Sequence, residues 1–97
     1  MRHELKIWPK FFDLVRRGRK PFEVRRDDRG FQEGDTLLLR EYDPDDDGYT
    51  GRELTCLVTC VVAGVDVGVK SGYVVMGIKA MGSCIAEEAA QAGEVEN

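Results

Sequence analysis

The stretch GRKPFEVRRDDRGFQEGD, Gly18 to Asp35, decides how the rest of this chain is read. Gly18, Lys20, Glu23 and Arg25 form a Gly-x-Lys-x-x-Glu-x-Arg string within it. Lys20 to Arg26 reads as a strand entered from a short helix. Alternation along a strand sends Glu23 and Arg25 to one face and Phe22 and Val24 to the other. A carboxylate and a guanidinium on one strand face, with a lysine just upstream, form a polar constellation that a purely structural strand does not need. Asp27 to Asp35 then reads as a polar turn broken by Gly30 and Gly34, with Phe31 anchoring it in the core.

Upstream of the string, His3 to Trp8 alternates as an opening strand, with Leu5 and Ile7 on one side and Lys6 and Trp8 on the other. Pro9 suits the first helical position, where its missing N–H would be unpaired anyway. Phe11, Phe12, Val15 and Trp8 fall at helical spacing and predict a core stripe, and Gly18 is a natural C-terminal cap. Arg16, Arg17 and Arg19 crowd the end of that helix, where cations favour its dipole.

Downstream, Thr36 to Tyr42 is a strand whose leucine run implies burial on both faces at its start. Asp43 to Gly51 reads as a hairpin loop, and Glu53 to Ala63 as a long strand rich in β-branched residues. Ala63 to Gly72 is glycine-rich, a loop or a short helical turn, and Tyr73 to Ala80 is the last strand. Five strands and one N-terminal helix predict a mainly β (α+β) fold, a small, partly open antiparallel β-barrel. From Met81 the chain turns small and acidic, so residues 1–80 are expected to form the domain. Residues 81–97 are expected to be a disordered tail or a frayed helix around Ile85 to Ala92.

At 97 residues with 42% hydrophobic content, the chain supports one core. It lacks the run of about 18 apolar residues that a membrane span needs, and MRHELKIWPK has no apolar signal region, so a cytoplasmic protein is expected. Cys56 and Cys60 share a strand about 13 Å apart at ~3.3 Å per residue, too far for a disulfide or a common metal. They read as small buried hydrophobes in reduced form, and neither a cofactor nor a metal site is expected. The net charge of −4 hides an asymmetry. Residues 1–29 carry ten Lys/Arg against five acids, and residues 30–97 four against thirteen. Such a split points to an electropositive surface for a polyanion, or to two faces that attract each other.

The Gly18–Arg25 string resembles the signature of ASCH domains, small β-barrels of the PUA-like superfamily associated with RNA. HELKIWPKFFDLVRRG before it, RDDRGFQEGDTLLLREYDP after it, then YTGRE and GYVVMGIK, narrow the resemblance. Together they are similar to the ASCH-related bacterial and phage family called DUF3850, over His3 to Lys79. The resemblance implies a PUA-like barrel and, for function, RNA binding or recognition of a modified nucleotide. Some ASCH proteins are implied to be amidohydrolases acting on acetylated cytidine through a lysine, a threonine and a glutamate, and ribonuclease activity is also associated with the group. Lys20 matches that lysine. Glu23 stands at the threonine position, and Ala63 to Gly72 contains no glutamate, so the catalytic pattern is incomplete.

The candidate site therefore comprises Lys20, Glu23, Arg25 and Arg29, with Lys6, Trp8, Tyr49 and Tyr73 around it. Arg supplies a rigid donor fork and Lys a point charge for a phosphate or base edge, while Glu23 can accept from an exocyclic amine or ribose hydroxyl. A structural ion pair at the barrel mouth is the competing reading for the same residues. Trp8, Tyr49 and Tyr73 can stack on bases, although Trp8 also fits the core stripe. Phe11, Phe12, Phe22 and Phe31 are assigned to the core, and His3 to a satisfied surface position. Glu41 and Arg52 flank the hairpin and can pair with each other. Two further readings stay open: a small hydrolase of a nucleoside or RNA, using Lys20 and Glu23 as acid–base pair, and a protein-interaction module working through the acidic tail. Asp43, Asp45, Asp47 and Gly48 match the first half of a calcium loop, but Glu53 falls one position short of its bidentate ligand, so the segment is read as a solvated turn.

Overall fold

The computed structural model describes residues 1–83. Strand β1 (Arg2–Ile7) leads through helix α1 (Pro9–Arg16) to β2 (Phe22–Arg26), and β3 (Thr36–Asp43) forms a hairpin with the long β4 (Gly48–Ala63). A 3₁₀ turn (Gly64–Val67) then precedes β5 (Tyr73–Ser83). The strands form one sheet in the order β1-β3-β4-β5-β2. It curls into a half-barrel in which β1 and β2 are the two edges, the small partly open barrel expected from the strand count.

One pairing corrects the antiparallel expectation: β1 runs parallel to β3, from Arg2 opposite Thr36 to Ile7 opposite Glu41. The connection between them, residues 8–35, exceeds the dozen residues a parallel crossover needs and carries α1 and β2. The other pairings are antiparallel. The tip between β3 and β4 is also tighter than expected, because Tyr49 to Gly51 already belong to β4. Ile85 to Ala92 and Cys84 lie outside the described residues.

The core is built from the inward positions of every element. Leu5 and Ile7 of β1, Phe12 and Val15 of α1, Leu37 and Leu39 of β3, Leu54, Cys56 and Val58 of β4, and Val74, Met76 and Ile78 of β5 pack together with Phe31. Burying each large member stabilises the fold by about 1.5–3 kcal/mol. Leu37, Leu38 and Leu39 are all buried, so the leucine run does cover both faces of β3.

Helix α1 starts where Pro9 predicts, with the Trp8 carbonyl accepting from Phe11 and Phe12 N–H. It ends at Gly18, whose φ of +74° is the left-handed cap conformation and whose N–H bonds the Val15 carbonyl. Its buried stripe is Phe12 and Val15 alone. Trp8 is 53% exposed, which corrects its core assignment: it precedes the helix with extended backbone, and its ring lies against half-buried Phe11 instead.

Two residues, His3 and Cys60, differ from expectation in their burial. His3 is buried rather than at the surface, edge-on to Phe31 at 4.7 Å, with its Nε2 2.9 Å from Asp35 Oδ2. Asp35 also accepts from the Met1 ammonium at 2.9 Å and from Gln32 N–H at 3.0 Å. The ammonium above all, then His3 and Gln32, holds the Asp35 carboxyl well below the usual carboxylate range. Cys60 is exposed, not buried, because the β4–β5 register shifts between Val58 and Cys60 and turns it outward.

Candidate functional site

Strand β2 faces opposite to what its apolar residues suggest. Its register sets Glu23 across from Met76 and Arg25 across from Val74 of β5, and both partners are buried in the core. Directly opposed residues of an antiparallel pair share a face, so the charged side of β2 points into the half-barrel. Phe22 and Val24 point outward, 43% and 41% exposed, which corrects the core assignment of Phe22.

Glu23 is consequently a buried carboxylate, its side chain only 6% exposed. Lys20 Nζ meets its Oε1 at 2.8 Å, and Arg25 Nη2 meets its Oε2 at 3.1 Å. Lys20 also donates to the Phe22 carbonyl at 2.9 Å, and Arg25 to the Lys6 carbonyl at 2.7 Å. A buried charge requires such partners, since an unpaired one is strongly destabilising. The two cations use one site on each carboxylate oxygen, whereas a carboxylate has about four acceptor sites. Glu23 thus retains acceptor capacity toward the open side.

That open side is a cleft of about 390 Å³ between β2 and the β1–α1 junction, lined by Lys6, Ile7, Trp8, Phe11, Lys20, Glu23, Val24 and Arg25. Trp8 stands at its rim with its ring nearly parallel to Phe11, centroids 6.5 Å apart at 22°. Lys20 Nζ lies 5.6 Å from the Phe11 ring and 4.9 Å from that of Phe22. The cleft joins a deep anionic acceptor, the two cations that hold it and an aromatic lip. Beneath it, burial pushes the Cys56 thiol up to about 12, and the nearby Glu23 charge adds to the shift.

Of the residues singled out in the sequence, Lys6, Trp8, Lys20, Glu23 and Arg25 come together around this cleft. Arg29 lies along the same seam but outside the lining, donating to the Glu4 carbonyl at 2.7 Å and pairing with Asp28 at 3.7 Å. Tyr49 sits apart, edge-on to Tyr42 and covered by the Arg40 guanidinium at 4.0 Å. Tyr73 is at the far end of β5, opposite Arg26. Sequence reasoning missed three lining members, Ile7, Phe11 and Val24. For Phe11 its offset from the buried Phe12–Val15 pair was the available signal.

A second polar cluster is structural. Arg52 grips Glu41 through Nε and Nη2, both at 2.9 Å, reaches Asp13 at 3.1 Å and lies over the Phe12 ring at 4.5 Å. Thr50 donates to the same carboxylate at 2.6 Å. The Arg52 bonds hold the Glu41 carboxyl below its ordinary range. The expected Glu41–Arg52 pair exists and fixes the hairpin to α1. At the hairpin tip, Asp43 accepts from Asp45 N–H and the Tyr42 hydroxyl bonds Asp47. Among the described residues no group of His, Cys, Asp and Glu gathers as metal ligands, and no helix is long and apolar enough to cross a membrane.

The class of domain that the fold and site define is a small half-barrel with a charged, aromatic-lipped cleft at the meeting of its two edge strands. The chain belongs to the family DUF3850, described as a domain of unknown function, which matches residues 2–78. It is 42% identical over 59 residues to an uncharacterized 12.9 kDa protein in the GpA 3′ region of Escherichia phage P2. That match takes in 61% of this chain and 52% of the phage protein, so the chain spans about half the length of this relative. The fold is similar to the crystal structure of a hypothetical protein, PH0355, with a TM-score of 0.57 and 18% identity over 84% of this chain and all of that one.

Proposed function

We propose that this domain recognises a single nucleobase, presented by RNA or a modified nucleotide, in the cleft between β2 and the β1–α1 junction. One observation carries this reading: the buried Glu23 carboxylate, held between Lys20 and Arg25 at the base of a cleft whose rim is an exposed tryptophan. An acceptor fixed in this way suits an exocyclic amine or a ribose hydroxyl, and losing such a charged hydrogen bond costs about 1.5–3 kcal/mol. Trp8 offers a flat surface on which a base can stack. The ASCH resemblance implies the same class of ligand.

Trp8 is the sole tryptophan of the chain, so its fluorescence reports on the cleft alone. Titration with a panel of ordinary and modified nucleosides and nucleotides is expected to quench it saturably for at least one member. Glu23→Gln is expected to weaken that binding about 10- to 100-fold, the equivalent of one charged hydrogen bond. A flat response across the whole panel, with the fold intact by circular dichroism, refutes base recognition.

A hydrolase reading is favoured by one contact, Lys20 Nζ to Glu23 Oε1 at 2.8 Å inside the cleft. A lysine–carboxylate pair in this position can pass a proton to and from a bound nucleoside. Incubating the same panel and resolving products by chromatography separates turnover from binding.

A further inference from the structure

We infer that the base reaches the cleft as part of a strand, and that a second, basic pocket beside it takes the phosphate of the neighbouring nucleotide. The inference rests on the base-recognition reading above and extends it from a nucleoside to single-stranded RNA.

The pocket, about 330 Å³, lies between the end of α1 and β5, and is lined by Val15, Arg16, Arg17, Gly18, Lys20, Pro21, Ile78, Lys79 and Ala80. Every charged residue of that lining is a cation, and no carboxylate is among them. Arg17 and Lys79 are exposed, and the Ile78 N–H bond to the Pro21 carbonyl at 3.1 Å ties β5 to the segment that follows α1. Lys20 lines both this pocket and the nucleobase cleft, so the two hollows share a wall. A Cβ at Gly18 would meet nothing within 4 Å, which shows how open this side of the pocket is.

Charge decides the occupant. Cations without a carboxylate among them attract a polyanion, and phosphate contacts by Lys and Arg position a strand without reading its sequence. Three of the ten Lys/Arg of residues 1–29, Arg16, Arg17 and Lys20, line this pocket beside the cleft. Arg16 pairs with Asp13 at 3.3 Å and Lys20 with Glu23 at 2.8 Å, so the inference rests on Arg17 and Lys79.

The test uses the full chain and a fluorescein-labelled, mixed-sequence RNA of about ten nucleotides, read by anisotropy and by Trp8 quenching. Each phosphate contact on a single strand contributes a slope of about −0.7 in log K against log salt. Arg17→Ala with Lys79→Ala should therefore flatten the slope by about 1.4. Between 50 and 200 mM salt, affinity then falls about sevenfold less in the variant than in the wild type. Mononucleoside binding should be unchanged, and Arg17→Lys with Lys79→Arg should keep the original slope. If RNA quenches Trp8 but the alanine variant keeps both affinity and slope, the phosphate pocket is refuted while the cleft reading stands. If neither nucleosides nor RNA quench Trp8, the cleft reading fails and the pocket falls with it.

Discussion

The Arg25 guanidinium donates to the Lys6 main-chain carbonyl at 2.7 Å, a bond that links the two edge strands of the sheet. Four residues further on, Arg29 does the same to the Glu4 carbonyl at 2.7 Å. Residues 4 and 6 of one strand direct their main-chain groups to the same side. The two arginines thus stand in for a ladder that β1 and β2 do not form, and they close the half-barrel with side chains. The cleft lies where this closure leaves space. Because Arg25 also holds Glu23, barrel closure and the shape of the candidate site depend on the same residue.

Arg25→Ala should therefore lower stability as well as nucleotide affinity. A hydrogen bond made by a charged group is worth about 1.5–3 kcal/mol, and a loss near 2 kcal/mol is expected by urea denaturation. Arg29 is more exposed, its side chain at 42% against 26% for Arg25, so Arg29→Ala should cost less than about 1 kcal/mol. Equal effects of the two would contradict the closure described here.

Glu23 distinguishes a buried ion pair from a surface one. Glu23→Ala leaves Lys20 and Arg25 facing a cavity without their counter-charge, and removal of one partner from a buried pair typically costs about 3–5 kcal/mol. The side chains of Lys20 and Arg25 keep 15% and 26% exposure, so a loss of about 3 kcal/mol by urea denaturation is expected. A change under about 1 kcal/mol would assign the triad to the solvated surface.

These two residues also show what could be read from sequence and what could not. Strand alternation put Glu23 and Arg25 on one face, and the structure keeps them there. Which face turned inward was not legible, since apolar Phe22 and Val24 argued for the opposite choice. That is settled by register with β5, a non-local pairing that local periodicity does not encode. The same limit applies to β1, whose parallel partner lies a long crossover away. Helix α1, by contrast, was bounded correctly by Pro9 and Gly18, because caps are local. Trp8 was misassigned because the helical stripe was drawn wider than the face α1 buries, whereas Phe11 packs against the core from its edge and also lines the cleft.

Asp35 gives the fold a defined acid sensitivity. The Met1 ammonium, His3 and Gln32 N–H depress its folded-state pKa relative to an unfolded value near 3.9. A depressed carboxyl pKa contributes stability above the unfolded value and loses it as pH falls through the folded one. Stability of the wild type should therefore decline below about pH 4, and that of Asp35→Asn should decline less steeply over the same interval. Parallel curves from urea denaturation at successive pH values would remove Asp35 from the account.

Cysteine chemistry separates the two sides of β4. Cys56 is fully buried beneath the cleft with its thiol raised to about 12, while Cys60 is exposed. The thiolate is the reactive form, so iodoacetamide at pH 8 should alkylate Cys60 in the native protein and spare Cys56 until denaturant is added. Peptide mapping by mass spectrometry reads the two sites independently. Native labelling of Cys56 would mean that the floor of the cleft opens.

Gly64 tests the turn that aims β5. A Cβ added there would lie 2.7 Å from the Tyr73 carbonyl oxygen and 3.0 Å from Val69 Cβ, while the Gly64 carbonyl already accepts from Val69 N–H at 2.8 Å. The nearest obstacle is main chain, so the 3₁₀ turn or the start of β5 must shift. Overpacking of this kind costs about 1–3 kcal/mol. Gly77→Ala is the comparison, because its Cβ would meet the Thr59 hydroxyl at 2.6 Å and Cys60 Sγ at 3.0 Å, side-chain rather than main-chain atoms. Thermal unfolding should place Gly64→Ala well below Gly77→Ala. The reverse order would show that β5 tolerates displacement at its start better than crowding at its centre.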